Sequence, residues 1–252
     1  MNIKMLSLVV PAYRQEKTIA KDLQNLDSVL SSLPYKYEIV VVVDGFVDKT
    51  YEILQDLRPK IKELRVYGYK ENYGKGFAIK LGVSKAAGDV IGFIDAGMDI
   101  DPSEISLMLD LMEWNKADIV VGSKLHPESK VNYPVWRKIL SWGYRTLTHI
   151  LFGFSVKDTQ VGFKIFRKKV AKEVFPKIIV KRFAFDIEVL TVAYKLGYHR
   201  IFEAPIQLNF KGANSITSKS FWKTIFWMLW DTAAVFYRLR VLKYYDKKPL
   251  NS

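Results

Sequence analysis

Lys75 sits between two glycines in Asn72–Lys80, NYGKGFAIK, and Asp95 closes the apolar run of Asp89–Asp101, DVIGFIDAGMDID. A glycine-flanked lysine opening a helix offers backbone N–H groups and a cation to a phosphate. An aspartate ending a strand offers a carboxylate to a ribose hydroxyl or a metal. Both belong on the carboxyl rim of a parallel sheet, where α/β folds bind ligands. Two further rim segments end in polar groups. Glu16 follows Pro11-Ala12-Tyr13, where it could accept hydrogen bonds from a base, and it equally favours the start of the next helix. Asp44 ends the run EIVVVVD, and Asp44-Gly45 taken alone is also an ordinary turn pair. The weight lies in four rim segments ending in Glu16, Asp44, Lys75 and Asp95, a set suited to a nucleotide diphosphate.

The elements that must carry these groups are legible in the pattern. Leu6–Val10 reads as a buried strand and Thr18–Leu30 as a helix. Glu38–Val43 is a β-branched strand, and Asp48–Leu57 a helix that Asp48 can cap. Leu64–Tyr67 is a short strand, Gly76–Ala87 a helix stopping at Gly88, and Val90–Ile94 a strand. Pro102–Trp114 follows as a helix, with proline at an allowed first-turn position, and Asp118–Val121 as a strand. This alternation predicts an α/β fold, a mostly parallel sheet flanked by helices on both faces. After Gly122 the pattern changes. Val135–Phe152 and Ser220–Arg240 read as helices rich in Trp, Tyr, Lys and Arg. Gly162–Phe166 and Arg200–Phe210 read as strands, and Phe185–Leu196 as a helix. Residues 1–217 form one domain in this reading, including an amphipathic helix at 134–152. Residues 218–252 form a C-terminal amphipathic helix and basic tail.

The 252 residues carry 39 Lys+Arg against 26 Asp+Glu, a net charge of +13. Nucleic acid, an anionic membrane or a phosphate-bearing substrate would each explain that balance. The absence of cysteine excludes disulfides and thiolate catalysis. Met1–Pro11 lacks the features of a secretory leader, and no uncharged apolar run reaches the ~18 residues of a membrane span. His126, His149 and His199 lack ligand spacing, which argues against zinc.

Two helices have readable faces. On the first, Arg137, Ser141 and Arg145 recur at i, i+4 and i+8, with Lys138 and Thr148 nearby, opposite Trp136, Ile139, Leu140, Leu147, Ile150 and Leu151. The polar stripe is either a solvated face or an anion site. On the last helix, Phe221, Ile225, Met228, Leu229, Phe236 and Leu239 form an apolar arc opposite Lys219, Lys223, Asp231 and Arg238. Trp227, Trp230 and Tyr237 fall near the polar side. Such a helix either packs on the sheet or lies at lipid headgroup depth. Asp186 and Glu188, two apart on one helix, point to different faces.

The ordered series P-x-Y-x-x-E, V-V-D-G-x-x-D-x-T, N-x-G-K-G-x-A and I-D-A resembles the family 2 inverting glycosyltransferases of the GT-A fold. Gly122-Ser123-Lys124 resembles the GSR motif of polyprenyl-phosphate sugar synthases. Lys157–Phe166, KDTQVGFKIF, and Phe183–Leu190, FAFDIEVL, resemble the dolichyl-phosphate β-glucosyltransferase and dolichyl-phosphate mannose synthase branch. The match runs from about Leu6 to Phe210. The resemblance implies that Glu16 and Asp44, with Pro11 and Tyr13, hold the nucleobase and ribose. It puts Lys75, Ala96 and Gly97 beside the nucleotide sugar. Asp95 matches the first Asp of the D-x-D metal motif, so Mg²⁺ or Mn²⁺ is implied there, but Gly97 stands where the second Asp belongs. Lys124, Arg137 and Ser141 match the residues that grip the lipid phosphate. Arg145 and Lys124 are then placed to replace part of the missing metal charge. Gln160 and Lys164, flanking Gly162, match the sugar pocket, and Asp186 is placed to orient the acceptor or the cations.

The resulting expectation is transfer of a hexose, with inversion, from UDP-glucose or GDP-mannose to a polyprenyl phosphate. The catalytic residues would be Asp95, Lys75, Arg145 and Asp186. The expected location is the cytoplasmic face of the cell membrane, peripheral or monotopic, with no nucleic-acid partner. A homo-oligomer or a separate membrane-anchor subunit stays open. So do two other readings: a family 2 enzyme acting on a soluble or surface glycan, with Asp186 as base, and a basic nucleic-acid or membrane-surface binding module.

Overall fold

Along the chain run β1 (Met5–Ala12), α1 (Ile19–Ser31), β2 (Lys36–Asp44), α2 (Thr50–Leu57), β3 (Leu64–Tyr69), α3 (Lys75–Lys85), β4 (Val90–Ile94), α4 (Glu104–Trp114) and β5 (Ile119–Ser123). β6 (Lys130–Val131), α5 (Val135–Phe152), β7 (Phe163–Arg167), α6 (Lys168–Val174), α7 (Phe185–Lys195), β8 (Ile201–Pro205), β9 (Gln207–Leu208) and α8 (Ser218–Arg240) complete it. The structure is a computed structural model that describes residues 3–131, 135–153, 156–181, 184–208 and 218–246, with backbone alone at 131, 135–141 and 218–224.

Seven strands form one sheet in the order β3-β2-β1-β4-β7-β5-β8. All neighbours pair in parallel except β7, which runs antiparallel between β4 and β5. β6 and β9 form a separate parallel pair. The β-branched runs explain the central strands. Successive side chains alternate between faces, and both faces are covered. Ile39, Val41 and Val43 of β2 enter one core with Leu6, Leu8 and Val10, while Val40 and Val42 enter the other with Val9 and Ile79. A strand buried on both sides reads as a continuous apolar run.

The topology sets up the site. The carboxyl ends of β1, β2 and β4 share one edge, so Tyr13, Asp44 and Asp95 emerge together. α3 begins at that edge because it follows the carboxyl end of β3. β7, being reversed, starts there, which brings Gln160–Lys164 to the same place.

Three expectations change. The strand expected over 200–210 breaks into β8 and β9 at Pro205, whose missing N–H ends a ladder. α6 is unforeseen, being a single short helix between β7 and Pro176. The outer helices follow the expected arcs only in part: Phe236 and Leu239 of α8 and Leu151 of α5 pack on the core, and other positions differ. On α8 the inward side carries Thr232, Val235 and Arg238, the last pairing with buried Glu188 at 3.3 Å rather than facing water. Phe226, Leu229, Trp230 and Tyr237 face out. On α5, Thr148 and Phe152 are buried, and Trp142, Leu147 and Ile150 are exposed. The two helices meet through Tyr144 Oη and Thr232 Oγ1 at 2.7 Å and through the Phe152 and Phe236 rings.

Candidate active site

Asp44 is buried at the end of β2, and its carboxylate is occupied by the loop after β3. Oδ1 accepts from the Tyr73 N–H at 2.8 Å and the Tyr69 hydroxyl at 2.9 Å. Oδ2 accepts from the Gly74 N–H at 2.9 Å and Asn72 Nδ2 at 3.1 Å. Burial and this carboxylate hold the Tyr69 phenol above its usual range. Asp44 therefore shapes the loop that presents Lys75. Gly74 must be glycine here: its φ is +97°, and an added Cβ would lie 2.4 Å from the Lys181 carbonyl.

Lys75, the first residue of α3, reaches Asp95 Oδ1 at 2.6 Å and Asp186 Oδ2 at 4.0 Å. The Lys75 and Asp95 side chains are 33% and 47% exposed, so this pair opens to solvent. Burial depresses the Lys75 pKa, but Asp95 and then Asp186 outweigh it and hold the ammonium above the ordinary lysine range. Asp186, at the start of α7, is mostly buried and accepts from Lys164 Nζ at 2.5 Å. Lys164 is a correction to the expected sugar pocket. Its side chain is fully buried in β7, and its ammonium is spent on Asp186 and the Val161 carbonyl. Burial pushes its pKa down, with Asp186 opposing. Asp95, Lys75, Asp186 and Lys164 thus form an alternating chain of charge from the rim into the core. An anion reaching Lys75 meets a cation already held in place.

Gly162 lies directly under Asp95. The Asp95 N–H donates to its carbonyl at 3.0 Å, and a Cβ on Gly162 would fall 1.8 Å from Asp95 Oδ2. Half-buried Ala96 and Gly97 continue the rim. Gly97 has φ +91° and nothing within 4 Å of an added Cβ. Glu16 is exposed, and its Oε2 accepts from the Lys49 N–H at 3.2 Å. Exposed Tyr13 stacks beside Arg14, and Pro11 is half-buried at the end of β1.

Beside Lys124, buried Asp158 is a residue the sequence reading missed. It accepts from the Lys124 N–H at 2.9 Å and the Gln160 N–H at 3.2 Å, and it stands 3.7 Å from Lys124 Nζ. Its position in the KDTQ run was visible; that it bridges β5 to β7 was not. Gln160 Nε2 faces Met228 of α8. Tyr144 is close enough to Asp186 for that carboxylate to help burial raise its phenol pKa. Half-buried Arg145 follows it on α5. The side chains of Arg137 and Ser141 lie outside the described residues.

Among the described residues no three His, Cys, Asp or Glu side chains cluster as metal ligands. Asp95 alone fits a cation shared with a substrate. Mg²⁺ is commonly held by one or two carboxylates plus phosphates and waters, and open space lies over Gly97.

A family model described as glycosyl transferase family 2 matches residues 7–175. Dolichyl-phosphate β-glucosyltransferases from Trichomonas vaginalis and Homo sapiens are similar at 33% and 32% identity over 96% and 95% of this chain, covering 77% and 76% of those proteins. A Drosophila melanogaster enzyme of the same name is 34% identical over 76% of this chain and 63% of its own. Among solved structures, glucosyl-3-phosphoglycerate synthase from Mycobacterium tuberculosis, crystallised with Mn²⁺, UDP and phosphoglyceric acid, has TM-score 0.65 at 16% identity. That match covers 93% of this chain and 78% of that one. Mannosyl-3-phosphoglycerate synthase from Rubrobacter xylanophilus also has TM-score 0.65 at 16% identity, over 95% of this chain and 75% of that one.

Proposed function

The chain belongs to glycosyl transferase family 2, and from that premise we propose that it transfers glucose from UDP-glucose to a polyprenyl phosphate at a membrane surface. The observation that carries the reading is the Lys75–Asp95 pair, half-open on the carboxyl rim and backed by Asp186 and Lys164. The sugar and the lipid follow the dolichyl-phosphate β-glucosyltransferases that align over most of the chain.

In this reading an oxygen of the lipid phosphate attacks the anomeric carbon from the face opposite the diphosphate. The C–O bond to the diphosphate breaks as the new one forms, so configuration inverts and UDP leaves. A phosphate monoester is already ionised near neutrality, so no side chain has to remove a proton. Catalysis rests on positioning and on charge stabilisation of the leaving diphosphate. Lys75 supplies that charge from a fixed place, because Asp44 shapes its loop and Asp95 and Asp186 fix its ammonium. Asp186 acts through Lys75 and the acceptor rather than as a base. Lys124, held by Asp158, would receive the acceptor phosphate, with Arg137, Ser141 and Arg145 from α5. Glu16, Pro11 and Tyr13 would border the nucleoside. A divalent cation, when bound, would be held by Asp95 with the diphosphate and would add charge neutralisation there.

The outward sides of α5 and α8 support a bilayer as the place of action. Ile150 and Trp230 are 75% and 61% exposed, and Trp142, Phe226 and Tyr237 on the same two helices are exposed as well. Exposed aromatics of this density mark an interaction surface, and amphipathic rings suit headgroup depth. No helix among the described residues is long and apolar enough to cross a membrane. Residues 218–252 would then act as a docking element on the family 2 domain.

The test is transfer from radiolabelled UDP-glucose and GDP-mannose to a short polyprenyl phosphate, with Mg²⁺, Mn²⁺ or chelator. Label from UDP-glucose in the organic phase is expected. Label that stays in the aqueous phase with every donor would move the assignment to a soluble acceptor.

A further inference from the structure

Glu188 is a fully buried carboxylate with no part in the proposed chemistry. It lies on α7 two residues beyond Asp186 and faces away from the site. Its Oε2 accepts from the Ile179 and Val180 N–H groups at 2.9 and 2.7 Å. Its Oε1 accepts from the Tyr245 hydroxyl at 2.5 Å and from Arg238 Nη2 at 3.3 Å. One carboxylate therefore joins a loop to the C-terminal segment.

That loop backs the lysine of the active site. The Gly76 N–H donates to the Lys181 carbonyl at 2.9 Å. A Cβ on Gly74 would lie 2.4 Å from the Lys181 oxygen, and one on Gly76 would lie 2.6 Å from the Val180 oxygen. Lys80 Nζ donates to the Pro176 and Ile178 carbonyls, both at 2.9 Å. The first turn of α3 rests on residues 178–181 with no slack, so a displaced loop displaces Lys75. The opposite anchor is equally defined. Tyr245 is buried, Arg238 is on α8, and Lys177 Nζ reaches the Tyr245 carbonyl at 3.0 Å. Burial, then Glu188, hold the Tyr245 phenol above its usual range, so it remains a donor at physiological pH.

We propose that Glu188 is a positioning residue: it clamps Ile179–Lys181 beneath Gly74–Gly76 against Tyr245 and Arg238, so that the seating of α8 sets how well Lys75 grips the nucleotide. The inference rests on the reading that Lys75 meets the diphosphate. It makes the outer helix, with its exposed aromatic face, a mechanical part of the donor site. A bare packing role for Glu188 would alter stability and leave nucleotide affinity unchanged.

The test is a double-mutant cycle in UDP affinity, read by calorimetry on the full chain. Its members are wild type, Lys75→Met, Tyr245→Phe and the double variant. Tyr245→Phe keeps the buried ring and removes the hydroxyl. Lys75→Met is expected to weaken UDP about tenfold, and Tyr245→Phe roughly three- to tenfold. The double variant is expected to bind no more weakly than Lys75→Met, because the clamp acts through Lys75. Tyr245→Phe with wild-type affinity, or a loss that adds in full to that of Lys75→Met, overturns the inference alone. Unchanged affinity in Lys75→Met overturns the assignment of Lys75 and the inference with it. Arg238→Gln in the same cycle gives a second reading should Tyr245→Phe fail to fold.

Discussion

Gly162→Ala probes the site with one methyl group. Gly162 does not have a positive φ, so alanine brings no backbone strain of that kind. The added Cβ would sit 1.8 Å from Asp95 Oδ2, whereas real Cβ contacts essentially never fall under 3.0 Å. Asp95 must therefore retreat by more than about 1 Å before the repulsion is relieved. Its side chain is 47% exposed and free to swing outward, so the fold survives, but Oδ1 then leaves Lys75. A misplacement of about 1 Å at a reacting group costs on the order of 100-fold, equivalent to about 2.7 kcal/mol of barrier. The expected result is a fall of that size in kcat/KM for glucose transfer, with a melting temperature within a few degrees of wild type. Activity within twofold of wild type would refute the claim that Asp95 works from this position. A collapse of melting temperature in step with activity would mean that Gly162 serves packing instead.

Gly97→Asp restores a second carboxylate where an added Cβ meets nothing, at a strain cost of about 1 kcal/mol for φ +91°; Mn²⁺ titrated without nucleotide should bind the variant measurably more tightly than wild type. Glu38 gives a pH signature of stability. Burial raises its pKa, but hydrogen bonds from the Ser7 hydroxyl, the Ala87 N–H and Arg65 outweigh that and leave it below the ordinary 4.5. Its contribution is then complete above that ordinary value and is lost as pH falls through the depressed one. Glu38→Gln should cost about 2 kcal/mol near pH 7, and denaturant melts from pH 7 to pH 3 should show a shallower acid loss than wild type. On the outer helices, the double variant Ile150→Glu/Trp230→Glu replaces side chains that are exposed, so melting should change little while co-sedimentation with anionic lipid vesicles falls at least tenfold.

The rim was legible because its information is local. The β-branched run of β2 ends at Asp44, the apolar run of β4 ends at Asp95, and glycines frame Lys75, so strand ends and helix start were marked within a few residues each. What those residues touch depends on partners far along the chain. Asp44 is occupied by Tyr69, Asn72, Tyr73 and Gly74, 25 to 30 residues on. Lys164 looked like a pocket lysine because KDTQVGFKIF resembles the family's sugar-pocket motif. Its burial follows from the reversed insertion of β7 between β4 and β5, a pairing across about 70 residues that no local pattern carries. Helical periodicity put Phe236 and Leu239 of α8 on the inner side, where they pack, but not Arg238. Arg238 turns inward because Glu188, 50 residues earlier, waits there with a buried carboxylate. Asp158 was passed over for a similar reason, since its worth lies in tying β5 to the turn before β7.

The central claim is transfer of glucose onto a lipid phosphate with inversion, and the product itself tests it most directly. Wild-type protein with UDP-glucose and a short polyprenyl phosphate, followed by ¹H and ³¹P NMR, should yield a β-linked glucosyl phosphodiester and stoichiometric UDP. Asp95→Asn should form it at least 100-fold more slowly. An α-linked product, or UDP released without any glucosyl phosphodiester, would contradict the account.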